Sequence, residues 1–412
     1  MKQVMQRGRT RAWAPRRRRA PGRGGLVVRV LVVWLLGLAA LLHLPAQAAT
    51  YKVMLIAQAD NGRFDRTRLE RAYLGHPGGP ALDGVQVALK EAKLELESVG
   101  ASLTLDSVTV ATPEAAKAAA LQAEKAGAAV LLTDLDMAAT LAVTDAVKLP
   151  VINMSNASDS LREKDCRARL YHVLPSDRMR ADALAQTLVA RKWSSVLLLT
   201  GPSPLDAQRS AVAQASIKRY GLKLAGSKPF KLSGDPRERD LANPALLTQG
   251  SYDAVWVVDS DGEFARSLPY RTVLPRPVVG DAGLVALAWH AQYERYGAPQ
   301  VSRRYTRDAK RPMGAHEWAA WMAGKALAAA AVEAPKGPAA ALHKALAVVE
   351  LDGSKGVTMS FRAWDRQMRQ TLLLTDGQGV IGTAPVDGML HPKNALDTLG
   401  GDEPEKLCKA SP

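Results

Sequence analysis

After residue 50, short runs of β-branched and aliphatic residues alternate with longer stretches of helical character. Runs such as residues 130–132 are apolar without alternation, which is typical of strands covered on both faces by helices in a parallel sheet. The helix that begins at Pro113 has three start signals, namely Thr112 as its cap, the proline itself, and Glu114 near the positive end of the helix dipole. The pattern therefore predicts an α/β fold built on parallel sheets.

This alternation of strand and helix occurs twice. The first series predicts strands at 51–58, 102–110, 128–134 and 150–156, with helices at 81–98, 113–126 and 137–147. The second predicts strands at 195–201, 222–232, 252–260 and 276–281, with helices at 177–192 and 204–220 and a loop and helix within 236–249. Two such series of about a hundred residues each predict two doubly wound lobes, not one large sheet.

The chain after residue 283 changes from helices back to strands. Helices are predicted at 284–296, 313–333 and 338–349, and strands at 357–361, 370–374 and 380–383. Late helices followed by late strands indicate that the chain recrosses between the lobes, which are first linked at 169–175. We therefore predict a hinged molecule with a cleft, in which lobe 1 is 50–172 plus 285–350 and lobe 2 is 173–284 plus 351–412.

Positive charge is concentrated at the start of the chain. The net charge is +15, but ten basic residues and no acidic one lie within 1–48, which leaves +5 on the remainder. A nucleic-acid partner is not expected, because its footprint should lie on the folded domain. An apolar stretch of about fifteen residues precedes Pro45, fewer than the roughly 20 that span a bilayer, and small residues follow it. We predict a signal peptide over 1–48, cleaved after Ala48 or Ala49, and export to the periplasm, with a retained membrane anchor as the alternative.

Cys166 and Cys408 are the two cysteines of the sequence. In an oxidising compartment the simplest hypothesis is that they form one disulfide. Two buried free thiols are the alternative, because sequence alone does not show that the two positions are close enough to bridge. Neither cysteine has a second thiol or a histidine at the spacing of a zinc site, so no metal site is predicted.

The motifs that would indicate catalysis lack the structural context that they require. Residues 377–382 match the letters of a dinucleotide fingerprint, but Thr383, Pro385 and Gly388 follow instead of a helix, which indicates a turn between two strands. His316 and Glu317 are interpreted as the polar first turn of a helix. No catalytic residue and no cofactor is predicted, although an enzyme of unfamiliar type stays open.

Candidate ligand contacts come from the position of loops. In open parallel sheets ligands lie beyond the carboxyl ends of the strands, and two lobes direct such loops into one cleft. The candidates are Asp134, Asp136, Ser155, Asn156, Asp259, Asp261, Gly280 and Asp281. The acidity of these loops favours a cationic, polyhydroxyl or metal-bearing ligand over a free anion. Several of the residues could instead be helix caps, a role that suits Asp136 and Asp261.

Several segments resemble a known family. YKVMLI at 51–56, DGVQVALKEA at 83–92, PVINMSNA at 150–157 and LPSD at 174–177 resemble the type I periplasmic solute-binding proteins of ABC transporters, the leucine/isoleucine/valine-binding group. The segments GEFARSLPYR at 262–271, RPMGAHEWAAW at 311–321, SFRAWDRQMRQ at 360–370 and LDTLG at 396–400 are similar to the branch associated with pyrroloquinoline-quinone-dependent alcohol dehydrogenase systems. The resemblance spans nearly all of the chain after the predicted signal peptide.

This resemblance implies a small-molecule ligand gripped between two lobes that close about a hinge of three crossovers, and delivery to an inner-membrane ABC permease. In amino-acid binders, hydroxyl and backbone groups after the third and fourth strands hold the ligand carboxylate. This chain has Asp134, Asp136 and Ala157 there, so a branched-chain amino acid is not expected.

The prediction is therefore a monomeric, non-enzymatic, periplasmic substrate-binding component of an ABC importer, linked to a quinoprotein alcohol dehydrogenase system. Two alternatives stay open. One is an interaction protein that assists the dehydrogenase without transport, and the other is a metal-dependent hydrolase that uses the acidic loops.

Overall fold

The computed structural model describes residues 49–60, 62–70 and 72–410, which belong to one compact unit. The predicted signal peptide at 1–48 lies outside the described residues. Within the described part of the chain, no helix combines the length and apolar character needed to span a bilayer.

The first sheet has five parallel strands in the order β2-β1-β3-β4-β5. Its strands are β1 (Ala49–Gln58), β2 (Ala101–Val110), β3 (Ala128–Asp134), β4 (Val151–Asn153) and β5 (Leu170–His172). Helices connect them: Arg66–Leu69, Ala81–Val99, Pro113–Lys125 and Met137–Ala146, with a 3-10 turn at Asp159–Arg162. As predicted, the side chain of Thr112 caps the helix Pro113–Lys125 by accepting a hydrogen bond from the backbone N–H of Ala115 at 3.2 Å.

Both faces of this sheet are covered, which explains the unbroken apolar run of β3. Leu132 packs with Trp321 of the helix Ala315–Glu333 on one face, while Leu131 packs with Ala116 of the helix Pro113–Lys125 on the other. Successive side chains of a strand point to opposite faces, so every residue of β3 is buried.

The second sheet has four parallel strands in the order β7-β6-β8-β9. Its strands are β6 (Ser195–Thr200), β7 (Lys223–Pro229), β8 (Ala254–Val258) and β9 (Val278–Gly280). The helices around it are Asp177–Ala190, Pro204–Arg219 and Pro244–Leu247, with 3-10 turns at Pro236–Ala242 and Ala265–Tyr270. Leu198 and Leu197 belong to separate cores on its two faces, so each sheet has its own pair of cores.

The remaining elements complete both halves. The strands β10 (Val285–Leu287), β13 (Leu372–Thr375) and β14 (Val380–Ala384) form an antiparallel sheet, and β11 (Leu351–Asp352) pairs with β12 (Thr358–Met359). The last helices are Ala298–Ala309, Ala315–Glu333 and Ala339–Val348, followed by 3-10 turns at Ala395–Asp397 and Glu403–Glu405. The turn between β13 and β14 contains Gly377, which confirms the predicted hairpin and not a dinucleotide site.

Two sequence predictions about elements are wrong. Residues 284–296 do not form a helix, because Val285–Leu287 pairs with β13 as a strand. Gly283 makes the turn that precedes it, with φ at +66° and an added Cβ only 2.1 Å from the carbonyl oxygen of Val278. The segment 169–175, predicted as a bare link, contains the fifth strand of the first sheet.

Segments that are distant in sequence are joined by hydrogen bonds of two buried side chains. The side-chain amide of Gln370 donates to the carbonyl of Val173 at 2.7 Å. The buried ammonium group of Lys355 donates to the carbonyls of Ala288 and Thr371 at 2.8 and 2.7 Å. The hinge of three crossovers and the lobe boundaries at 172, 284 and 350 stay predictions.

Candidate functional site

The segment after β1 contacts residues around the second sheet. Of its described residues, 59–60, 62–70 and 72–80, Glu70 accepts through its backbone carbonyl from Arg266 at 3.1 Å, and the ring centroid of Tyr73 lies 5.9 Å from the guanidinium carbon of Arg180. We call the region between the carboxyl ends of the two sheets the interlobe cleft. The segments after β1, β3 and β4 and those after β6, β8 and β9 are expected to line it, because ligands of parallel sheets lie at strand ends.

On the first-sheet side, Asp134 at the end of β3 is already paired. The guanidinium of Arg63 binds its carboxylate with a contact of 2.8 Å, and the two side chains are 23% and 7% exposed. Arg63 comes from the loop after β1, so the partner is contributed by a different strand end. The acidic residue does not present a free negative charge to the cleft.

On the second-sheet side, Asp281 is paired in the same way. Its carboxylate accepts from Arg209 at 2.5 Å and from the backbone N–H of Asp259 at 2.7 Å. Asp259 in turn accepts from the backbone N–H of Ala265 at 2.8 Å, and burial raises its pKa. Gly280 is required at its position, because φ is +115° and an added Cβ would lie 2.1 Å from the carbonyl oxygen of Val257.

The other predicted contacts serve local structure or stay exposed. Asp136 is the N-cap of the helix Met137–Ala146 and accepts from the backbone N–H of Ala139 at 2.8 Å. The side chain of Asn156 accepts from the N–H of Ser158 at 3.0 Å, and the N–H of Ser155 donates to Asn153 at 3.3 Å. Asp261 is exposed, and the carboxylate that serves the following 3-10 turn is that of Asp259.

His316 is a residue of the cleft that sequence reasoning interpreted only as part of a polar first turn. That interpretation holds for Glu317, whose carboxylate accepts from the N–H of Gly78 at 2.7 Å and of Gly314 at 3.0 Å. Burial lowers the pKa of His316 to about 4, so its imidazole is neutral at pH 7. The charges of Asp134 and Arg180 act on this ring in opposite directions, since Asp134 raises its pKa and Arg180 lowers it.

A small cavity beside the second sheet includes Arg180 and Arg209 in its lining. Trp256 and Gly280 also line it, and its volume of about 30 Å³ is room for about one water molecule. A much larger cavity of about 880 Å³ lies along the helices Ala315–Glu333 and Ala339–Val348 and shares no lining residue with it.

Metal binding is not indicated by the side chains in the described ranges. Within 49–60, 62–70 and 72–410, no group of three or more His, Cys, Asp or Glu side chains is arranged to hold a metal ion. The acidic loops that favoured a cationic ligand have their carboxylates at Asp134 and Asp281 neutralised by arginines. The sequence gives only a weak signal for these two ion pairs, because each arginine lies about seventy residues from its aspartate.

Comparison with known proteins shows similarity at the level of structure. No family model and no curated protein matches the sequence. A branched-chain amino acid ABC transporter periplasmic ligand-binding protein from Burkholderia xenovorans LB400 superposes with a TM-score of 0.68 at 12% identity, covering 87% of this chain and 99% of that one. An R. palustris ABC transporter solute-binding protein in complex with benzoate gives 0.61 at 15% identity, covering 81% and 96%.

A third structure, an ABC transporter substrate-binding protein from Desulfitobacterium hafniense in complex with Leu, gives a TM-score of 0.62 at 15% identity, covering 80% of this chain and 98% of that one. The similarity at such low identity shows the fold. The chain therefore has the α/β fold of two-lobed periplasmic binding proteins, with parallel sheets as predicted from the sequence.

Proposed function

We propose that this chain is a periplasmic, non-enzymatic solute-binding component of an ABC-type importer, which captures a small molecule in the interlobe cleft and presents it to a permease in the inner membrane. The observation that carries the proposal is the contact across the cleft between Tyr73, in the segment after β1, and Arg180 and Arg209, on helices beside the second sheet. Ligands of parallel sheets lie at strand ends. A ligand that touches both sets would stabilise the closed state over the open one.

The residues that would contact the ligand are drawn from both sides of the cleft. Buried side-chain nitrogens without a hydrogen-bond partner within the described residues include Nε of Arg63 and Nδ1 of His316. A buried polar atom without a partner is costly, so these two nitrogens favour a polar ligand at this place. We add them to Ser155, Asn156, Asp259 and Asp281 as candidate contacts, while Asp136 is assigned to helix capping.

The ligands of two proteins with a similar fold support the proposal that the ligand is a small molecule. The R. palustris protein binds benzoate and the D. hafniense protein binds Leu, both of them small molecules with a carboxylate. We also propose that this chain is linked to a quinoprotein alcohol dehydrogenase system. The segments at 262–271, 311–321, 360–370 and 396–400, which are similar to the branch associated with such systems, support this link.

The contact of Tyr73 with Arg180 and Arg209 across the cleft favours a second candidate, an accessory protein that assists a periplasmic dehydrogenase without binding a small molecule. In that case Tyr73 would be a permanent part of the packing between the sheets. A pull-down that recovers a dehydrogenase and no permease would favour this candidate, and recovery of a permease would favour the importer.

A thermal-shift screen of amino acids, aromatic and aliphatic organic acids, alcohols and quinone cofactors tests the proposal. At least one compound should raise the melting temperature, since a ligand at a hundredfold excess over its Kd adds about 2.7 kcal/mol to the native state. Arg63→Gln should reduce this ligand-dependent shift. Arg66→Gln, in the same loop but with a side chain 91% exposed, is the matched control and should keep it. A screen without any stabilising compound would contradict the proposal.

A further inference from the structure

The ring of Tyr73 lies against two guanidinium groups of the opposite side of the cleft. Its centroid is 5.9 Å from the guanidinium carbon of Arg180 and 5.4 Å from that of Arg209. Both distances are within the range in which a cation is attracted to an aromatic face. Tyr73 comes from the loop after β1, whereas Arg180 and Arg209 lie on the helices Asp177–Ala190 and Pro204–Arg219 beside the second sheet.

The loop that carries Tyr73 is fitted closely at this point. An added Cβ at Gly75 would lie 2.7 Å from the ring of Tyr73 and 3.2 Å from a terminal nitrogen of Arg180. The carbonyl of Glu70 accepts from Arg266, and Leu74 packs near Gly377, in the turn between β13 and β14. The loop thus inserts a ring into the cleft and contacts the second half of the molecule on either side of it.

The two arginines are held in place by bonds that do not involve the ring. Arg209 pairs with Asp281 at 2.5 Å and with Asp177 at 3.6 Å. Arg180 donates through Nε to the carbonyl of Ala286 at 3.2 Å and lies 3.8 Å from Asp177. Because a guanidinium group bonds through its edge, its flat face is left for stacking on an aromatic ring. The two side chains would therefore remain in place if Tyr73 withdrew.

The three arginines around this position are each paired with a carboxylate, in the ion pairs Arg63–Asp134, Arg180–Asp177 and Arg209–Asp281. The features that these pairs leave for a ligand are the two guanidinium faces and the Nε of Arg63, which has no hydrogen-bond partner among the described residues. A planar ring fits the faces, and a group that accepts a hydrogen bond fits the buried Nε–H donor.

We infer that the interlobe cleft is selective for a planar aromatic ring that bears a hydrogen-bond-accepting group. Tyr73 occupies the position of this ring against Arg180 and Arg209, which we call the seat, until the ligand displaces it. The inference rests on the proposed function, because it names the ligand class of the same site. Tyr73 already lies against Arg180 and Arg209, so a ligand ring that takes the same position and Tyr73 exclude each other. Ligand affinity is then reduced by the fraction of molecules in which the seat is filled.

Calorimetric titration with benzoate tests this competition. Tyr73→Ala should bind benzoate about tenfold more tightly than the unaltered protein, a difference of about 1.4 kcal/mol, because the competing ring is gone. Tyr73→Phe retains the ring and should bind like the unaltered protein. Tyr270→Ala, at a position 89% exposed, is the control for loss of a tyrosine elsewhere and should leave the Kd unchanged.

Two further titrations test whether the cleft selects a planar ring and whether Arg180 contributes to binding it. Cyclohexanecarboxylate has the same charge without a planar ring and should bind Tyr73→Ala about tenfold more weakly than benzoate does. Adding Arg180→Gln to Tyr73→Ala should abolish the gain in benzoate affinity. The melting temperature and circular dichroism of each variant, measured without ligand, establish that it is folded.

Four results would overturn the inference. If Tyr73→Ala binds benzoate no more tightly than the unaltered protein does, Tyr73 is a fixed part of the cleft and not a competitor. If Tyr73→Ala binds cyclohexanecarboxylate as tightly as benzoate, the cleft does not select a planar ring. If benzoate binds none of the folded proteins while a non-aromatic compound stabilises the unaltered chain, the ligand class is wrong and the proposed function stands. If no compound of any class binds, the proposed function fails as well.

Discussion

Replacement of both Cys166 and Cys408 by serine is expected to lower the free energy of unfolding by about 3–5 kcal/mol. The structure joins the two residues by a disulfide with a sequence separation of 242, so the bond closes a very long loop and restricts the unfolded chain strongly. Cys166 lies between β4 and β5 of the first sheet. Cys408 ends a segment held to the helix Asp177–Ala190 by Arg178, which binds the carboxylate of Glu405 at 2.8 and 2.7 Å. The bond therefore links elements of both sheets.

Urea denaturation of the oxidised protein and of the double variant, each with and without a reductant, measures this effect. The reductant should bring the oxidised protein to the midpoint of the variant and should leave the variant unchanged. A midpoint that does not respond to the reductant, in a protein shown by thiol titration to be reduced, would contradict the assignment of a stabilising bond.

Arg362→Met is expected to cost about 3–5 kcal/mol of folding free energy, because it removes the buried guanidinium that pairs with Asp365 and that shares the carboxylate of Asp397 with Arg369. The Arg362 side chain is 1% exposed and pairs with Asp397 at 2.9 Å and with Asp365 at 3.6 Å. It also donates to the carbonyls of Leu396 and Leu399 at 3.1 and 2.8 Å. These bonds fix the C-terminal segment that carries Cys408.

Arg369→Met provides the matched control for this prediction. Arg369 binds the same carboxylate of Asp397 at 2.8 Å, but its side chain is 18% exposed. Water can replace more of its interactions, so its loss should cost about 1 kcal/mol. Equal losses of stability in urea denaturation of the two variants would show that burial of Arg362 does not determine its contribution.

The repeated strand and helix pattern was sufficient to predict the two sheets. The strand 128–134 and the helix that begins at Pro113 were located because burial on both faces and capping leave local signals. The segment 284–296 was misassigned because its strand exists only through pairing with β13, a partner far along the chain. Helix propensity cannot reveal such a pairing, since tertiary contacts override it.

The candidate site was predictable in part for a similar reason. The position of Asp134 and Asp281 at strand ends was predictable because the strands were, and strand ends converge in parallel sheets. Their contact with a ligand stays a prediction. Arg63 and Arg209 were missed because their pairing depends on how a loop and a helix fold back over those ends. The charge of a cleft depends on such partners. The expectation of a cation-selective site considered the carboxylates alone, because the sequence did not reveal the arginines that pair with them.

Native mass spectrometry of the folded chain, after incubation with a small-molecule extract of bacterial cells and removal of the excess, shows whether the interlobe cleft captures a solute. We expect one small molecule bound per chain, released on unfolding and not retained by Arg63→Gln. A spectrum that contains only the mass of the bare polypeptide would contradict capture of a solute by the cleft.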